Sequence, residues 1–187
     1  EGSYNKEDGK LHYTVNVSTT KGTEDTVTIS DSFGTGNTSV AYDKGSFQIV
    51  KVKADGTQEE VTGYTPEFGT AWTGGPEKFT ISNLPKLEAG EGYIVTYTAT
   101  PGETSDAGGA SSVNNNATGT SGGDSNNSGV TVTISQQMLQ KWGNYNSGSG
   151  KIQWTITLNP DKQDIGGYTL KDAMTIDGET VSIPAGT

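Results

Sequence analysis

The chain has 187 residues, 29% of them hydrophobic, with 27 glycines, no cysteine and a formal net charge of −10. Such a charge excludes nucleic acid as a partner, since a phosphate backbone would be repelled. Without cysteine there are no disulfides or thiolate metal sites, and no apolar run approaches the length of a membrane span.

Thr, Ser, Asn and Gly dominate, and short β-rich runs alternate with turn residues, which predicts an all-β chain. The first long run, "KLHYTVNV", puts Leu11, Tyr13, Val15 and Val17 on one face of a strand. His12 falls on the opposite face with Lys10 and Thr14. It is the sole histidine, so a Ser-His-Asp triad would have to be built on it, and an exposed strand position argues against that. No turnover enzyme is expected.

The next run, "VTISDSF", aligns Val27, Ile29, Asp31 and Phe33. A carboxylate thus sits in an apolar stripe, where a lone charge costs several kcal/mol, roughly, unless neutralised or paired. Two readings are open: a functional acid held in the core, or an Asp at a strand end or edge bonded to backbone amides. "GSFQIVKVKADGTQEEVTGY" reads as a hairpin turning at Asp55-Gly56. "EKFTISNL" follows a Gly-Gly-Pro turn at 74–76, and "LEAGEGYIVTYTATP" becomes a strand with Tyr93, Val95 and Tyr97 on one face. Residues 102–129 have loop or linker composition, interrupted by "VNNNAT" at 113–118. In extended phase Val113, Asn115 and Ala117 share a face, with Asn114 and Asn116 on the other. Val130, Val132 and Ile134 alternate as a strand, and "QQMLQKW" reads as a short turn or helix.

Residues 143–174 repeat residues 2–33 without gaps. Nine positions are identical at a constant offset of 141, among them Tyr4/Tyr145, Gly9/Gly150, Lys10/Lys151 and Asp31/Asp172. A period of that length suits a whole domain. The expected organisation is a tandem repeat of Ig-like β-sandwiches: repeat one over 1–128, lacking its first strand, and an incomplete start of repeat two over 129–187. Two or three strands cannot close a core of their own.

These strings resemble the isopeptide-forming domains of Gram-positive surface adhesins and pilins, of the collagen-adhesin type. "GKLHYTVNV" and "GKIQWTITLN" are similar to the family's first long strand, and "TISDSF" and "TLKDAM" to the following strand with its acidic residue. "LPKLEAGEGYIVTYTA" followed by "VNNNAT" is similar to the closing strands with their asparagine. The resemblance implies a self-reaction in which a lysine amine attacks an asparagine carbonyl, ammonia leaves, and a protonated Asp or Glu assists. Burial lowers a lysine pKa and raises that of a carboxyl, so both can be neutral together. It implies Asp31 and Asp172 as proton-shuttling acids, Asn115 as acyl donor and, from the family's "K-x-G-x-Y" opening met here as "KWGNY", Lys141 as nucleophile. Subtracting 141 from Lys141 gives position zero, so repeat one is short of its own lysine. Lys10 and Lys151 recur but lie out of phase with the inward Leu11 and Ile152. Two explanations are open: the chain is cut at both ends from a longer protein, or the segment ending in Lys141 fills the missing first-strand position of repeat one, in its own or a neighbouring molecule, where Lys141 would meet Asn115.

The function this implies is a structural stalk or shaft repeat of a cell-wall-anchored adhesin or pilus, outside the cell, with neighbouring repeats as partners and no cofactor. The alternative is a ligand-binding adhesin module for a matrix protein or glycan, with Trp72 in "GTAWTGGP" as a candidate groove residue or a packed turn residue. Calcium in the "GGDSNNSG" and "KADGTQEE" loops is a third possibility, without EF-hand or RTX spacing.

Overall fold

The computed structural model describes residues 1–102, 110–135, 139–160, 166–167, 169–176 and 179–181. Every element among them is a strand, and all pairings are antiparallel. In chain order these are β1 (Gly2–Asn5), β2 (Lys10–Ser18), β3 (Val27–Phe33), β4 (Ala41–Tyr42), β5 (Gln48–Val52), β6 (Gln58–Glu60), β7 (Glu67–Thr70) and β8 (Glu77–Leu84). They continue with β9 (Gly92–Thr100), β10 (Ala110–Ser121), β11 (Asp124–Ser135), β12 (Leu139–Asn146), β13 (Lys151–Leu158), β14 (Met174–Ile176) and β15 (Glu179–Val181). No helix among the described residues is long and apolar enough to cross a membrane.

One sheet runs β1-β2-β9-β5-β6, with β4 also paired to β9; the other runs β11-β10-β3-β8-β7. Their inward faces make a single sandwich core. Leu11, Tyr13, Tyr93, Val95 and Tyr97 come from the first sheet, and Val27, Ile29, Phe33, Phe79 and Ile81 from the second. Period-two alternation dictates this: β3 and β9 are each buried at every odd position. Each fully buried large apolar side chain is worth ~1.5–3 kcal/mol of transfer free energy. Aromatic rings tie the sheets together, Tyr42 stacking on Phe33 at 4.4 Å and standing edge-on to Phe79 at 5.1 Å.

The segment with linker composition is a long hairpin. β10 and β11 pair without interruption from Ala110↔Ser135 to Ser121↔Asp124. The two-residue turn is Gly122-Gly123, with Gly122 at φ 58°, the left-handed conformation that matches the twist of paired strands. The expected boundary at 128/129 therefore falls inside β11, whose Val132 and Ile134 belong to the first core. The short β1 pairs with the start of β2, from Gly2↔Tyr13 to Asn5↔Lys10.

The hairpin of β12 and β13 copies that of β1 and β2. Gly2↔Tyr13 and Asn5↔Lys10 become Gly143↔Trp154 and Asn146↔Lys151. A methyl group on Gly2 or Gly143 would lie under 3 Å from the ring of Tyr13 or Trp154, so both strands need glycine for the ring to lie across them. In β12 and β13 that ring and its neighbours are exposed: Tyr145 is 62% and Ile152 54% accessible. The start of "QQMLQKW", residues 136–138, lies outside the described residues; from Leu139 the segment is strand.

Candidate functional site

Two polar side chains lie in the core, Asp31 at 2% and Asn115 at 3% exposure. Both arrive by strand phase. Asp31 follows Val27 and Ile29 along β3; Asn115 follows Val113 along β10, with Asn114 and Asn116 outside. The adjacent strands pair Asn115 with Phe33 and Ala117 with Asp31, one diagonal step apart. The Asn115 amide donates from Nδ2 to Asp31 Oδ1 at 2.6 Å. Tyr42, on the two-residue β4, donates its hydroxyl to the same oxygen at 2.6 Å. The Tyr97 hydroxyl reaches Asn115 Oδ1 from β9, more weakly, at 3.5 Å.

The other carboxyl oxygen, Asp31 Oδ2, is buried with no hydrogen-bond partner, as is the Tyr13 hydroxyl. Burial pushes the Asp31 carboxyl up from its ordinary 3.8 to about 6, against the opposing pull of the hydrogen bonds from Tyr42 and Asn115, of the nearby Tyr97 hydroxyl and of the terminal ammonium of Glu1. Burial, then the nearby Asp31 charge, pushes the Tyr42 and Tyr97 hydroxyls far above their ordinary range, so both remain donors. Chemically this is an amide whose nitrogen touches an acid and whose oxygen faces a phenol. Protonating a leaving nitrogen and polarising a carbonyl both need those placements.

Asn115 also lines a cleft of about 390 Å³ between the sheets, bounded by Glu1, Thr14–Ser18 of β2 and Asn126–Val130 of β11. Its floor is a strand edge. Glu1 exchanges both backbone bonds with Thr14, its ammonium donating at 2.7 Å and its carbonyl accepting at 3.0 Å. Beyond that, Val15–Ser18 pair with β9 on one side only.

The other expected residues form a second group. Lys141 and Asp172 make an ion pair, each about a third exposed, and the lysine Nζ lies 4.8 Å from the centre of the Trp154 ring. Lys10 is engaged by Asp43 at 2.6 Å, and exposed His12 by Asp8 at 2.7 Å. Trp72 is 51% exposed and folds over Gly75 in its turn. The described residues hold no cluster of three metal-ligating side chains.

No protein-family model matches the chain, and no curated protein does. Solved structures do resemble it. One is the collagen-binding subdomain of the Enterococcus faecalis surface protein ACE, with TM-score 0.46 and 16% identity over 72% of this chain and 92% of that one. Another is the group B streptococcus pilus 2b backbone protein, with TM-score 0.43 and 17% identity over 78% and 67%. A third is the collagen-binding domain of the Erysipelothrix rhusiopathiae surface protein RspB, with TM-score 0.47 and 13% identity over 85% of this chain and 48% of that one. Each likeness is loose and concerns the course of the strands.

Tyr42 and Tyr97 were not among the residues marked by sequence. Tyr97 shares the inward phase of Tyr93 and Val95 and so reads as plain core; Tyr42 sits on a strand too short to show a period.

Proposed function

We propose that this chain is a structural segment of a Gram-positive surface adhesin or pilus stalk, whose sandwich is built to take an amide crosslink at Asn115. The observation that carries the reading is the buried 2.6 Å contact between Asn115 and Asp31. A structural Asp–Asn pair would be expected to use both carboxyl oxygens, yet Oδ2 is left unpartnered in the core. Asp31 serves as the proton shuttle to the leaving nitrogen and Tyr97 faces the carbonyl oxygen. Lys141 and Asp172 are the amine and acid of the second repeat. The resemblance noted in the sequence supports the same assignment, and with it a location outside the cell with neighbouring repeats or host matrix protein as partners. A link from the position before Glu1 to Asn115 would close a loop of more than a hundred residues, worth about 4.7 kcal/mol in the chain-entropy picture.

The test supplies an amine in register. The tripeptide Leu-Gln-Lys, copied from 139–141, is placed ahead of Glu1, and the intact mass is measured after denaturation. The expected product is a monomer lighter by one ammonia, and Asn115→Ala restores the full mass. A full-mass monomer from the extended, folded chain refutes the reading.

A further inference from the structure

The ring of Tyr42 packs against Phe33, Phe47, Phe68, Phe79 and Tyr97. Packing alone asks for a phenyl group at that place, because a buried hydroxyl costs free energy unless it is bonded. The Tyr42 hydroxyl donates to Asp31 Oδ1 at 2.6 Å. Asn115 Nδ2 donates to the same atom, also at 2.6 Å. Oδ1 is therefore held between a phenol and an amide nitrogen, while Oδ2 meets no partner.

The strand that delivers this hydroxyl is only two residues long, and it is fixed to both sheets. Ala41 and Tyr42 pair with Thr100 and Ala99 at the end of β9. From the other sheet, Glu77 Oε2 accepts the Tyr42 backbone amide at 2.8 Å. The next residue, Asp43, accepts from Lys10 Nζ and Thr98 Oγ1 at 2.6 Å each and from Thr100 Oγ1 at 2.9 Å. Residues 34–47 also grip β10. Asn37 donates Nδ2 to the Ser112 carbonyl at 3.0 Å, and its Oδ1 accepts the Asn114 amide at 3.0 Å. One crossover thus ties down the acid on β3 and the strand that carries Asn115.

We infer that Tyr42 is a positioning residue for the amide crosslink, its hydroxyl holding the Asp31 carboxyl against the leaving nitrogen of Asn115. The inference rests on the function proposed above. In that reaction a lysine ammonium gives one proton to the Asp31 carboxylate, and the neutral amine attacks Asn115 Cγ. The Cγ–Nδ2 bond breaks, and a second amine proton passes by way of Asp31 to Nδ2. The products are the amide, ammonia and protonated Asp31, with no co-reactant. A carboxyl free to turn away from Nδ2 would lose this transfer.

The first proton transfer needs an ionised Asp31, so the rate falls on the acid side as the carboxyl protonates. Burial favours the protonated form and the Tyr42 hydrogen bond opposes it. The other groups facing the carboxyl are Asn115 from β10, Tyr97 from β9, Tyr13 from β2 and the ammonium of Glu1. Burial pushes the Tyr13 and Tyr97 hydroxyls far up, so both stay neutral. These groups are common to every variant below.

The test uses the chain extended by Leu-Gln-Lys with that lysine photocaged, so that light starts the reaction. Intact mass after denaturation follows the loss of ammonia from pH 4.5 to 8.5. Tyr42→Phe keeps the ring, and circular dichroism confirms its fold. It is expected to link at least ~10-fold more slowly at pH 7, with its acid limb at higher pH than the parent's. 3-Fluorotyrosine in place of Tyr42 is a stronger donor and should move the limb the other way. Phe47→Leu loosens the same ring cluster without touching Asp31, and should lower stability in urea while leaving the limb in place. A Tyr42→Phe chain with the parent's rate and acid limb would overturn the inference and leave the crosslinking function standing. So would a limb displaced equally by Phe47→Leu. An unsubstituted extended chain that keeps its full mass after uncaging would overturn both.

Discussion

Replacing Asp31 with asparagine tests whether the core acid titrates as its burial requires. A carboxyl raised from 3.8 to about 6 binds its proton more tightly in the folded than in the unfolded chain. Its stabilising effect is complete below the unfolded value of 3.8 and is lost as pH rises through about 6. Ionised, it costs the fold roughly 3 kcal/mol, at ~1.4 kcal/mol per pH unit of displacement. Asp31 is 2% exposed, so solvent does not screen this cost away. The amide oxygen introduced by Asp31→Asn can still accept from Tyr42 and Asn115, and the new side chain carries no charge. Both proteins are made in the Lys141→Arg background, so that no link forms, and urea unfolding is followed by fluorescence from pH 3.5 to 8. Asp43 and Glu91, held low by their hydrogen bonds and lysine partners, titrate in both and cancel in the difference. The two curves should meet near pH 3.5, and Asp31→Asn should be more stable by about 3 kcal/mol above pH 7, or ~6–12 °C in Tm. Parallel curves across the range would refute the account of Asp31 as a desolvated acid.

Tyr42→Phe removes one of the two donors to Asp31 Oδ1. It should cost ~1–3 kcal/mol at pH 7 and move the Asp31 titration, followed by carboxyl carbon NMR, above about 6. Phe79→Ala empties the centre of the aromatic cluster, where Phe79 is fully buried against Tyr42, Phe47 and Tyr97. A loss of ~3–5 kcal/mol in urea unfolding is expected.

Where one face of a strand is apolar, the sequence shows what the strand does. Asp31 and Asn115 could both be placed inside because phase alone decides it, and both are buried. The β10–β11 hairpin was hidden because its outward positions and its distal half are Asn, Ser, Thr and Gly, the composition of a loop. Its strand character comes from pairing with β3 over seven residues, a tertiary fact. Likewise, no local signal could show that Tyr42 meets Asp31 or that Lys141 meets Asp172, since chain folding alone brings them together.

β1 and β11 lie side by side and run the same way, Gly2 against Val132, in different sheets. Tension applied through Glu1 and Ser135 therefore pulls each strand along its own axis, in opposite directions. Loaded in this manner, the ladder between β1 and β2 resists as a set, its hydrogen bonds shearing together rather than unzipping one after another.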